Sequence, residues 1–139
     1  MITTLIFMTH LVQAEPAAVK PTDSQAALYA ALKVREDAPA CDSLAVHSTD
    51  LANDLVWLVD NATQPPWVGI RAAECVVKHH HTAQAELIKS WMVSPEQRGL
   101  AILTLGLLDQ LPADLSQQLK TAALAGPFAD EVKQRTVAP

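Results

Sequence analysis

From about residue 24 onward the apolar residues recur at helical spacing, and no alternating strand pattern persists. Ala and Leu dominate and aromatic residues make up only 4% of the chain, a composition that favours helix over sheet. Polar caps, prolines and glycines cut this helical text into short pieces. The chain is therefore expected to be all-α.

The pieces can be read one by one. Asp23 or Ser24 can cap a helix running to about Arg35. Residues Glu36 to His47 read as a weaker helical segment interrupted by Pro39. Ser48 or Thr49 starts a helix through Asp60, with Leu51, Leu55 and Leu58 on one stripe. A loop from Asn61 to Pro66 leads to a helix from Trp67 to His79. Thr82 caps the next, which carries Leu87, Ile88 and Trp91. In Ser94-Pro95-Glu96-Gln97 the serine can cap, the proline suits the first helical position and Gln97 can reach back to the Ser94 amide. The helix that follows, Arg98 to Leu108, is apolar almost all round and is expected to be the buried centre. Gly99 and Gly106 within it would let neighbouring helices approach closely. Pro112 separates it from a helix over 113–125. Gly126-Pro127 stops that one, and a last helix starts near Ala129.

With 139 residues the chain fits one domain, which buries roughly two-thirds of its unfolded surface. Half of it is apolar and 18% charged, which excludes a disordered chain. Ten basic against 15 acidic residues give a net charge of −5, without the cationic surplus that nucleic acid requires. No stretch supplies the roughly 20 apolar residues of a membrane span. The first fourteen residues carry no charged side chain and end in Val12-Gln13-Ala14 before Glu15-Pro16. This pattern is expected of a signal peptide over 1–14, although its basic start is missing. An apolar tail would read the same way. Residues 15–23 read as an extended leader and 24–137 as the helical domain. Cys41 and Cys75 form an even pair, 34 positions apart. In an oxidising compartment they would bridge, adding about 4 kcal/mol by the chain-entropy argument; otherwise they are two buried thiols. A periplasmic or secreted location is expected, with no stable membrane insertion once the signal is removed.

Helix pairs recur with one internal logic. Leu55-Val-Trp57-Leu-Val-Asp60 precedes a turn and then Ile70-Arg71-Ala72-Ala73. Leu87-Ile-Lys-Ser-Trp91-Met-Val-Ser94 precedes a turn and then Gln97-Arg98-Gly99-Leu100. Leu119-Lys-Thr-Ala-Ala-Leu124 precedes Gly126-Pro127 and then Glu131-Val132-Lys133. Trp57 and Trp91 hold equivalent places. The pattern resembles the HEAT repeat, in which an apolar helix, an acid-containing turn and a second helix opening with Val-Arg-x-x-Ala recur. Asp60 and Arg71 supply the acid and the arginine in one unit; Ser94 replaces the acid in the second and Lys133 the arginine in the third. The resemblance covers roughly residues 50 to 135. It implies a short α-α solenoid of three to four antiparallel helix pairs with a binding or scaffolding role and no enzymatic activity. The same helices can also close into a bundle.

Candidate chemistry is sparse. Arg71, Glu74 and Lys78 share one face of their helix, with Glu74 and Lys78 in the favourable i,i+4 order. That face is either solvated or, with Trp67 and Arg98, a surface for a protein partner. Trp67 follows two prolines and is either packed on the next helix or an aromatic anchor. Ile70, Ala73 and Val77 share the apolar face. Lys78-His79-His80-His81 would place two histidines, His79 and His81, near one metal ion only at a frayed helix end; capping of the helix terminus is the other use. Cys75 and His79 form an i,i+4 pair on paper, but a disulfide is the better use of the cysteine. Asp50 and Asp54 read as solvated. Gly-rich phosphate loops and nucleophile elbows are absent from the sequence. The expected function is a non-enzymatic protein-interaction module without cofactor; the alternative is a small-ligand or metal-binding module at His79–His81.

Overall fold

A computed structural model of the chain describes residues 19–136. Seven α-helices follow one another in it: α1 (Asp23–Leu32), α2 (Leu51–Asn61), α3 (Trp67–His79), α4 (Ala85–Val93), α5 (Arg98–Leu105), α6 (Ala113–Leu124) and α7 (Ala129–Thr136). Short 3₁₀ helices lie at Cys41–His47, Pro95–Gln97 and Leu108–Gln110. No strand occurs among the described residues, so the fold is all-α. The expected signal segment 1–14 and Val137 lie outside the described residues. Of the leader, 19–22 are described and belong to no helix, and Asp23 is already the first residue of α1.

Caps form where a polar side chain has no stronger partner. Thr22 caps α1: its hydroxyl accepts from the Gln25 amide at 3.2 Å, and Gln25 Oε1 accepts from the Thr22 amide at 3.0 Å. The neighbouring candidate Ser24 is drawn away, because its hydroxyl donates to Asp54 at 2.8 Å. Ser94 does not build the expected capping box. It donates back to the Ser90 carbonyl at 2.8 Å, closing α4 rather than opening α5. The free carbonyls at the end of α4 reach the hydroxyl first, and the chain enters α5 through the 3₁₀ turn Pro95–Gln97. Thr82 likewise caps nothing: residues 81–84 turn, and α4 begins at Ala85 after Gln84.

The helix expected to reach Arg35 stops at Leu32, and Asp37 turns the chain at φ 53°. Only the second half of 36–47 is helical, as a 3₁₀ turn that buries Leu44 completely. Helix α2 starts at Leu51 and buries Leu55 and Leu58. Asp54 is buried with them, contrary to the solvated position expected. Its carboxylate accepts from Ser24 at 2.8 Å, Gln25 at 3.1 Å and Ser48 at 2.5 Å. Burial pulls the carboxyl pKa up, yet these three donors outweigh it and hold the group below its ordinary 3.8.

The buried centre is α3, not α5. Val68, Ala72, Ala73, Cys75, Val76 and Val77 are all buried there, and α3 packs against α1, α2 and α5. Helix α5 is cut short at Leu105, and Ile102 and Leu103 on it are only half-buried. A Cβ on Gly99 would meet nothing within 4 Å, so this glycine does not serve close helix approach. Gly126 does: a Cβ there would stand 3.3 Å from the Met92 carbonyl oxygen and 3.5 Å from Val93 Cα. Helix α2 packs on α3, α4 on α5 and α6 on α7; across these pairs α4 packs on α6 and α3 on α5. No helix among the described residues is long and apolar enough to cross a membrane.

Candidate functional site

The polar face of α3 meets the segment 38–42 across a cleft of about 420 Å³. Cys41 and Cys75 are joined by a disulfide at the wall of this cleft, tying the 3₁₀ turn to α3. Helical spacing then aligns Arg71, Glu74 and Lys78 along one side, followed by His79, with Asp42 opposite. Four of the residues singled out for binding or metal in the sequence therefore come together here.

Their chemistry differs from residue to residue. Arg71 is committed to the end of α1. It donates to the carbonyls of Leu32 at 2.7 Å, of Val34, and of Arg35 at 3.2 Å. The last carbonyl of α1 and two from the segment just beyond it thus find one guanidinium. Asp60, the acid expected to accompany Arg71, makes no ion pair with it. Trp67 joins the same fastening: its indole N–H donates to the Lys33 carbonyl at 3.0 Å, and Arg35 sits 6.0 Å from the ring centroid. Lys78 and Glu74 form an ion pair at 2.6 Å and stay partly exposed. These two, with Asp42 and His79, present polar atoms to a visitor in the cleft.

Arg98 stands elsewhere, on α5, paired with Glu131 of α7. The Glu131 carboxyl is held below its usual range by a backbone amide and by Arg98. His81 lies beyond the cleft with its Nδ1 3.0 Å from the Val77 carbonyl, so it closes the end of α3. Burial, reinforced by the charges of His79 and His81, pushes the His80 pKa down. Among the described residues no three His, Cys, Asp or Glu are grouped to hold a metal ion. The paper pairing of Cys75 with His79 has no free thiol, since the sulfur is in the disulfide.

Two features escaped the sequence. Asp42 read as part of a weak helix and gave no signal of facing α3. Trp57 was matched to Trp91, yet Trp91 is buried whereas Trp57 is half-buried and, with Tyr29, lines a separate cleft of about 310 Å³ between α1 and the end of α2. Comparison with known proteins returns no match: no family model, no curated protein and no solved structure is similar to the chain.

Proposed function

We propose that the chain is a non-enzymatic protein-interaction module, a short HEAT-like solenoid acting in an oxidising, extracytoplasmic compartment as an adaptor, inhibitor or assembly factor. The observation that carries this reading is the cleft beside the disulfide, where Glu74, Lys78, His79 and Asp42 converge on a covalently fixed wall. A cleft with polar groups set on a fixed backbone suits recognition, because little ordering entropy is lost on binding. The pairing of α2 with α3, α4 with α5 and α6 with α7, with α3 stacked on α5 and α4 on α6, supports the solenoid. So do Arg71, which reaches back to α1, and Arg98, which reaches forward to α7. The disulfide supports the compartment. In this reading Trp67 and Arg71 hold the wall in place, while Glu74 and Lys78 meet the partner.

The test is affinity capture of the full chain from its native extracytoplasmic fraction, beside the double variant Glu74→Ala/Lys78→Ala. An exposed i,i+4 pair contributes only about 0.3–0.5 kcal/mol, so the variant stays folded. One protein captured in near-stoichiometric yield by the parent and lost by the variant is the expected result. A partner retained by the variant overturns the cleft assignment. Absence of any protein partner, with a native mass increase that a chelator removes, would replace this reading by metal binding at His79 and His81.

A further inference from the structure

A third cleft, of about 240 Å³, lies where α5, α6 and α7 meet. Its floor is aliphatic: Leu105 and Val132 are buried and Leu108 is half-buried. Its rim carries Ser116, Lys120 and Arg135, and no acidic side chain lines it. Ser116 and Lys120 share a face of α6 at i,i+4. The Arg135 guanidinium lies over the end of α5, 3.9 Å from where a Cβ on Gly106 would stand.

These three side chains make no hydrogen bond and no ion pair among the described residues. Four other cations are engaged: Lys78, Lys89 and Arg98 in ion pairs, Arg71 on carbonyls. The chain as a whole carries −5, so two unopposed cations over an aliphatic floor run against the overall charge. Such a rim fits one carboxylate, which an arginine fork can grip with two parallel hydrogen bonds. The floor beneath fits a hydrocarbon tail, which leaves water on entering and covers the surface that Leu108 still exposes.

We propose that this cleft binds a small amphiphilic carboxylate of the medium-chain fatty acid class. The head accepts from Lys120, Arg135 and the Ser116 hydroxyl, and the tail covers Leu105, Leu108 and Val132. This site is independent of the cleft on α3.

The test titrates the full chain with decanoate, followed by backbone amide NMR, with decanol and inorganic phosphate as controls. Decanoate is expected to shift the amides of residues 105–108, 116–120 and 132–135, and to bind at least about tenfold more tightly than either control. Lys120→Gln and Arg135→Gln, both at the rim, are each expected to weaken decanoate about tenfold and to leave decanol unchanged. Undiminished decanoate binding by both variants overturns the proposal. Phosphate binding as tight as decanoate overturns it as well, because the floor would then play no part. So does a parent chain that shows no shift at these residues.

Discussion

Asp54 is where one side chain decides most. Three donors from two separate stretches of chain, Ser24 and Gln25 of α1 and Ser48 before α2, converge on its buried carboxylate. Asp54→Ala leaves them without an acceptor and is expected to cost about 2–4 kcal/mol, read as a lower urea midpoint. A loss below about 0.5 kcal/mol would mean the carboxylate is solvated after all. Because the carboxyl is held below 3.8, its contribution is complete above that pH and is lost as pH falls through the lower folded value. The parent chain should therefore lose stability in that acid range more steeply than Asp54→Ala. None of this was legible beforehand. Thr22, Asp23 and Ser24 are all good capping residues, and the choice among them is made by an aspartate some 30 positions away. The local alphabet of caps says that a helix starts, not which hydroxyl is spent elsewhere.

At the scale of elements the text was clearer. Helix existence followed from periodicity, because one apolar face must be buried whatever the partner. The bounds of α3 came out as read, Trp67 to His79, since the Pro65-Pro66 pair and the histidine run mark both ends. So did the Glu74–Lys78 pair, which needs only the geometry of its own helix. What α3 fastens to was not legible: Arg71 reaches carbonyls 36 to 39 positions earlier in the chain. Burial was misjudged for α5, which covers Leu100, Ala101 and Leu105 but leaves Ile102 and Leu103 half-buried. The glycines separate along the same line. Gly99→Ala, facing open space in the first turn of α5, is expected to stabilise the fold by about 0.5–1 kcal/mol. Gly126→Ala pushes against the end of α4 and is expected to cost about 1 kcal/mol. Thermal melts of the two variants should move in opposite directions.

For the whole molecule, the all-α class was legible from composition and spacing, whereas the three clefts were not. Each is lined by residues from separate elements, and packing alone brings Asp42 to α3 or Lys120 to Arg135. The Cys41–Cys75 bridge spans 34 positions, and Cys41→Ala/Cys75→Ala is expected to lower stability by about 4 kcal/mol, measured by urea unfolding against the oxidised parent. The bridge has a consequence of another kind. It makes residues 41–75 a closed covalent ring that contains all of α2 and the exposed Thr63 and Gln64. A protease that cuts at those two residues gains no fragment: the nicked protein keeps its mass plus one water, and the halves part only when a thiol opens the ring.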